Sequence, residues 1–295
     1  MHIENLRFFY MVGKAKSISK IANEVHISQS ALSQQIQKLE NHLGFNLLTR
    51  SNKGVELTEK GQIVFKYADH IVRTYTKMQS DLNSHESIIR IEGTYPIATY
   101  ALPCTLYRMK KKFPKHKYEL ISNSSENITN NILNDICDIG FVNGKPSAKN
   151  IQSLYVGSDK IILVAEQNTS IPQKIDMKDL LKYTLIMLND RFEIKKTIEI
   201  KLKEIGFSCD DLNIIFKLDS LEAIKSSISK GYGLAFLPYM SIKKELYTKQ
   251  FKSIKIDGFD PINEIHLIHK NNQHFNNSLV AFVNYFSSVG KEGFC

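Results

Sequence analysis

The chain has 295 residues, of which 42% are hydrophobic and 23% charged; this is an ordinary globular balance that excludes global disorder. The formal net charge of +9 favours an anionic partner. No apolar run approaches the roughly 18 residues of a membrane span, and Met1-His2-Ile3-Glu4 lacks a basic and then apolar leader, so a cytoplasmic protein without membrane contact is expected. Cys104, Cys137, Cys209 and Cys295 lie far apart with no C-x-x-C, which argues against structural disulfides and zinc sites.

Leu6, Phe9, Tyr10 and Val12 predict a first helix ending near Gly13. Ile18, Ile21, Ala22 and Val25 then fall at i, i+3, i+4 and i+7, the buried stripe of a second helix, with Ala22 small enough for a close crossing. After His26 and Ile27, Ser28 offers a hydroxyl as the N-cap of a third helix. Leu32, Ile36, Leu39 and Leu43 give that helix an inner face, leaving Gln29, Ser30, Ser33, Gln34, Gln37 and Lys38 outside. Glutamine can form bidentate bonds with adenine edges, hydroxyls can pair with bases or phosphate, and lysine supplies charge for the backbone. Gly44 stops the helix, and the stretch from Phe45 through Ser51-Asn52-Lys53-Gly54 to Leu57 predicts a small hairpin, a wing with Arg50 and Lys53 at its tip. Those two cations suit a phosphate backbone or a minor groove. The first sixty residues carry eight Lys and Arg against five Glu, a net +3.

The run ISQSALSQQIQKLENHLGFNLLTRSNKGVELTEKG resembles the winged helix-turn-helix of LysR-type transcriptional regulators, and the similarity extends from Ile3-Glu4-Asn5-Leu6 to Gly61. Two positions depart: Ser30 stands where that family usually has proline, and Gln34 where it often has arginine, which alters base preference. The resemblance implies DNA binding through Ser28, Gln29, Ser30, Ser33, Gln34, Gln37, Lys38, Arg50 and Lys53.

Thr58 can cap a long helix from Glu59 to about His85, on which Val64, Ala68, Ile71, Tyr75, Met78 and Leu82 form a heptad-like stripe. Either the chain's later domain or the same helix of a second copy must cover it. A second copy is expected, giving a homodimer with half-sites about one or two helical turns apart.

Beyond Ser87 short β-rich runs alternate with helices, the pattern of α/β folds. Strands are predicted at Ile88–Ile91, Tyr118–Ser122, Ile139–Val142, Ile161–Ala165, Thr184–Leu188, Ile214–Leu218, Leu234–Leu237 and Ile265–Ile268. Helices are predicted at Tyr100–Phe113, Asn127–Leu133, Ile194–Ile205, Leu221–Ser229 and Leu279–Phe286, with Leu180 ending another. The stretches RIEGTYPIATYALP, ILNDICDIGFVNG and DSLEAIKSSISKGYGLAFLP resemble the effector domain of the same family.

The resemblance implies a multidomain chain: an all-α winged helix-turn-helix at 1–60, a linker and dimerisation helix at 61–87, and an α/β two-lobed, periplasmic-binding-protein-like (type 2) effector domain at 88–295. Lobe 1 would take about 88–162 and 264–295, and lobe 2 about 163–263. It further implies a homodimer or homotetramer that binds double-stranded DNA, answers a small-molecule effector and contacts RNA polymerase, with no cofactor or metal.

Thr94, Ser124, Ser125 and Ser220 precede helices, whose N-termini favour anions. A small carboxylate or oxyanion held by Thr94, Ser125 and Ser220 is the resulting expectation. The sequence resembles the branch of the family related to sulfur- and carbon-assimilation regulators, in which a Ser/Thr-rich loop precedes a leucine-proline like Leu102-Pro103. Here Tyr95 and Pro96 replace small polar residues, and Asn189-Asp190-Arg191-Phe192 replaces a Gly/Ser-rich turn. Arg191 could clamp an anion, while Tyr95 and Phe192 would reshape the pocket.

An enzyme is disfavoured, since there is no Gly-rich phosphate loop, paired Cys/His pattern or nucleophile elbow, and the nine histidines are scattered. A redox sensor would need a reactive cysteine pair in the second lobe, where only Cys209 lies.

Overall fold

The computed structural model describes residues 2–51, 54–83, 88–189, 192–271 and 280–285. Contacts divide the chain into two units, Met1–His85 and Glu86–Cys295.

The first unit begins with α1 (Ile3–Ala15), α2 (Ile18–Glu24) and α3 (Gln29–Leu43). They close over Leu6, Phe9, Val12, Ile21, Ala22, Leu32, Ile36 and Leu39, all buried. Local chemistry sets each boundary. Ser17 Oγ accepts from Lys20 N at 3.3 Å to start α2, and Ser28 Oγ accepts from Ala31 N at 3.1 Å to start α3. Gly44, at φ +76°, ends α3 in the left-handed conformation that glycine adopts without penalty. Gly13 does not end α1: a Cβ there would lie 2.9 Å from the Phe65 ring, so this glycine serves helix packing. The helix continues to Ala15 and closes at Lys16, φ +52°.

Strands β1 (Leu48–Ser51) and β2 (Gly54–Leu57) form the wing, antiparallel with Leu48 opposite Leu57 and Arg50 opposite Val55. Buried Glu40 of α3 accepts from Leu47 N at 2.7 Å and Leu48 N at 3.1 Å, fixing where the wing departs. Thr58 Oγ1 accepts from Gly61 N at 2.9 Å, capping α4 (Glu59–Asn83), and donates to Asn46 O at 2.8 Å.

The predicted stripe on α4 divides in two. Ala68 is fully buried in the unit's own core, and Val64 packs on that core beside Phe65. The exposed apolar row is Ile63, Tyr67, Ile71, Met78 and Leu82, a few tens of degrees around the helix. A 25-residue helix anchored at one end can present one face to its own bundle and a neighbouring face outward.

The second unit opens with β3 (Ile88–Gly93), a π-helical turn (Ile97–Ala101) running into α5 (Leu102–Lys112), β4 (Lys117–Ser122), α6 (Ser125–Leu133) and β5 (Ile139–Asn143). Then comes β6, a strand of 16 residues (Ile151–Glu166). The second lobe follows as β7 (Lys174–Ile175), α7 (Met177–Leu180), β8 (Leu185–Leu188), α8 (Glu193–Glu204), β9 (Ile214–Leu218), α9 (Leu221–Ser229), β10 (Ala235–Pro238), α10 (Tyr239–Tyr247) and β11 (Phe251–Ile256). β12 (Ile262–Lys270) returns to the first lobe, and residues 280–285 are helical, with Phe282 in the first-lobe core.

The strand order is β4-β3-β5-β12-β6-β11-β7, with β10 also on β6, while β8 and β9 pair separately. β3 is parallel to both β4 and β5, and β5 is buried on both faces apart from Asn143, as a central parallel strand should be. The first part of β6, Ile151–Lys160, pairs with β12; its last part pairs with β10 and β11. One strand therefore serves both lobes, and it is far longer than the Ile161–Ala165 segment expected from sequence.

The expected helix Tyr100–Phe113 starts as the π turn, and α10 and β11 were not anticipated. Cys137 and Cys209 are free thiols, and Cys295 lies outside the described residues.

Candidate DNA interface and effector cleft

On α3 the inner residues Leu32, Ile36 and Leu39 are 0% exposed, while Gln29, Ser30, Gln34, Gln37 and Lys38 are exposed and Ser33 is half-buried. Ser28 is engaged as the cap and lies 2.9 Å from the Ser30 hydroxyl. Gln37 Nε2 donates to Asn41 Oδ1 at 3.2 Å, a contact one turn along the same helix that leaves its amide on the surface. The row of amides and hydroxyls thus faces outward from a rigid inner stripe. Arg50 has its backbone in the wing ladder; its side chain, and Lys53 altogether, lie outside the described residues. Glu40, which anchors the wing, was missed because an acidic residue late in an amphipathic helix reads as solvated.

In the second unit a cavity of about 450 Å³ opens between the lobes. The first lobe lines it with Thr94, Tyr95, Asn123, Ser124, Asn127 and Asn143, the second with Phe192, Glu193 and Ile194. The Tyr95 and Phe192 rings meet edge-to-face, centroids 6.5 Å apart, narrowing the space between the lobes. Ser124 caps α6 by accepting from Asn127 N at 3.2 Å. Behind these, buried Glu92 accepts from Asn131 Nδ2 at 2.8 and 2.9 Å and from Asn123 Nδ2 at 3.3 Å, which orients the amides of this wall. Thr94 is 5% exposed and its hydroxyl has no hydrogen-bond partner among the described residues.

The three hydroxyls expected to converge on an anion do not do so. Ser125 Oγ donates to Glu193 Oε2 at 2.6 Å and accepts from Asn143 N at 3.1 Å, so it is engaged by the protein itself. Ser220 accepts from Ala223 N at 3.4 Å as the cap of α9 and is not part of the cavity wall. Asp190 and Arg191 lie outside the described residues. Asn123, Asn127, Asn143 and Glu193 were missed: the asparagines read as turn and helix-start residues, and Glu193 as a first-turn acid favourable to its own helix.

Two further clusters join or support the lobes. Tyr100 Oη donates to Glu222 Oε1 at 2.5 Å, and buried Lys225 bridges Glu222 and Glu245, each at 3.1 Å. Burial and then the Glu222 bond push the Tyr100 phenol well above its ordinary range, while the same bond, with Lys225, holds Glu222 below the usual carboxylate range. On β6, buried Asp159 accepts from Met240 N at 3.1 Å, and burial pushes its carboxyl up to about 7. Burial also raises the Cys209 thiol, the reverse of what a peroxide-reactive cysteine needs.

Comparison with known proteins agrees with this architecture. Residues 3–62 match the family described as "Bacterial regulatory helix-turn-helix protein, lysR family", and residues 83–291 match "LysR substrate binding domain". A "Probable RuBisCO transcriptional regulator" of Trieres chinensis is 30% identical over 266 residues, 86% of each chain. An HTH-type transcriptional regulator of Methanocaldococcus jannaschii is 27% identical over 275 residues, 90% of this chain and 92% of that one. Among solved structures, CbnR, a LysR family transcriptional regulator, superposes with a TM-score of 0.73 at 19% identity, covering 99% of this chain and 100% of that one. Full-length CbnR complexed with its target DNA gives 0.57 at 19% identity over the same shares. Among the described residues no helix is long and apolar enough to cross a membrane. With its helix-turn-helix and its two-lobed effector domain both matched in order, the chain belongs to the LysR family of transcription regulators.

Proposed function

We propose that α3 enters the major groove of duplex DNA and reads bases with Gln29, Ser30, Ser33, Gln34 and Gln37, with Ser28 and Lys38 on the backbone and Arg50 and Lys53 of the wing on flanking phosphate. The observation that carries this reading is the exposed amide-and-hydroxyl row standing on three fully buried residues of the same helix. CbnR, similar along its whole length, has been solved with its target DNA, which adds support. Purified full-length chain should protect two half-sites in a footprint of the duplex upstream of its own coding sequence; no protection at low salt overturns the reading.

Two copies pair through the outward row of α4, with Tyr67, Ile71, Met78 and Leu82 at the seam, as a dimer or a dimer of dimers. What supports this is an apolar row that stands exposed among the described residues of its unit. Ile71→Asp is expected to give monomers by sedimentation and to weaken footprinting; a dimer of unchanged affinity would refute it.

A small polar effector occupies the cavity between the lobes, touching Thr94, Tyr95 and Ser124, and its binding shifts the population of lobe arrangements. Output passes to RNA polymerase, in the cytoplasm where the DNA lies.

A further inference from the structure

At the N-terminus of α6 the first lobe presents three donors to one point: the Ser125 amide, the Ser125 hydroxyl and the Asn143 side-chain amide. All three are met by a single carboxylate from the other lobe, Glu193. Its Oε1 accepts from Ser125 N at 3.1 Å, and its Oε2 accepts from Ser125 Oγ at 2.6 Å and Asn143 Nδ2 at 3.0 Å. The Ser125 hydroxyl is itself oriented, accepting from Asn143 N at 3.1 Å. Glu193 is also the first residue of α8, whose preceding Phe192 supplies no side-chain cap. One negative charge therefore belongs to the N-terminal ends of two helices, α6 of nine residues and α8 of twelve, where the partial positive charge of free amides favours it. Thr94 lines the same cavity, and its hydroxyl, buried and without a partner among the described residues, is a polar group that the chain itself leaves unsatisfied next to that space.

We propose that Glu193 is a tethered anion: it fills the anion position of the cleft from within the chain and clasps the two lobes, so the effector is an uncharged or cationic polar molecule that leaves Glu193 in place. A free carboxylate, sulfate or phosphate would have to displace a carboxylate that already holds three donors and is delivered at the high effective concentration of a covalent link. An anion placed beside it instead would meet like charge in a partly desolvated cleft. The effector half of this proposal rests on reading the cleft as the effector site; the Glu193 half does not.

Thermal unfolding of the full chain tests it, with acetate and sulfate as probes and chloride at matched ionic strength as control. Wild type is expected to show no saturable response to either anion. Glu193→Ala should melt several degrees lower and recover saturably with acetate, which fits the vacated carboxylate position. Glu193→Gln, which keeps the volume, should melt lower than wild type without acetate rescue. Saturable stabilisation of wild type by acetate or sulfate overturns the proposal, as does a Glu193→Gln melting point equal to wild type or a folded Glu193→Ala that ignores acetate. The acetate response reads the Glu193 contact alone. Loss of the effector reading would show separately, as a wild type unmoved by a panel of polyols and amines while acetate rescue persists.

Discussion

The outer face of α3 and the wall of the inter-lobe cleft are both built of amides, hydroxyls and a few charges, yet they dispose of their hydrogen-bonding capacity in opposite ways. On α3 Gln29, Ser30, Gln34, Gln37 and Lys38 stand exposed, and the Gln37 amide meets Asn41 of the same helix. In the cleft the same chemistry closes on itself through Glu193, Ser125 and Asn143, and the Thr94 hydroxyl is left over. An open row can be matched by an extended partner with a repeating edge pattern, such as a groove. A wall whose polar groups are largely bound to one another selects a small molecule and is sensitive to what crosses from the opposite lobe.

The hardest way to break the contrast is to remove the platform under the open row. Ile36→Ala deletes a fully buried side chain and is expected to cost about 2–5 kcal/mol, lowering the melting transition of the N-terminal unit in calorimetry and abolishing footprinting. A melting curve like that of wild type would mean that α3 does not depend on this stripe. A milder substitution acts on the row itself: Gln34→Ala should leave the melting temperature unchanged and cost about 1–3 kcal/mol of discrimination at one base position, read as relaxed preference in gel shifts against a base-substituted duplex set. Uniform weakening across all duplexes would make Gln34 a backbone contact instead.

How much of this was legible in sequence follows the same division. The helix-turn-helix could be read because its determinants are local: Ser28 caps, Gly44 stops, and the Leu32–Ile36–Leu39 spacing fixes which side is inward. The cleft could not, because Glu193 and Ser125 are 68 residues apart and each has an ordinary local role at a helix start. The stripe on α4 was half right for a related reason. Periodicity reports that apolar residues share a side of the helix, but not that Val64 and Ala68 turn to the unit's own core while Ile71, Met78 and Leu82 turn away from it. Only the Ile161–Ala165 end of β6 is legible in the sequence, because Gly157, Ser158 and Asp159 interrupt its apolar pattern. The lysine-rich run from Tyr239 to Ile256 concealed α10 and β11.

A pH-dependent effect concerns a polar group that belongs to neither class. Asp159 is buried in the second unit with a carboxyl raised to about 7 from an ordinary 3.8. A raised acid favours the folded state most below its unfolded value, and that contribution is lost as pH climbs from about 4 through about 7. Asp159→Asn keeps an acceptor for the Met240 amide and removes the charge. It should therefore gain on wild type across that window and hold a constant advantage above about pH 8, visible as melting temperature against pH. An advantage independent of pH would show that the carboxyl titrates normally.

The continuity of β6 has a consequence for how the second unit forms and fails. Because a single run of backbone is hydrogen-bonded to β12 at one end and to β10 and β11 at the other, neither half of the sheet can fray without loosening an anchor of its neighbour. Melting of this unit should be one cooperative event, and a chain cut near Lys160 should yield two fragments that recover secondary structure only when mixed.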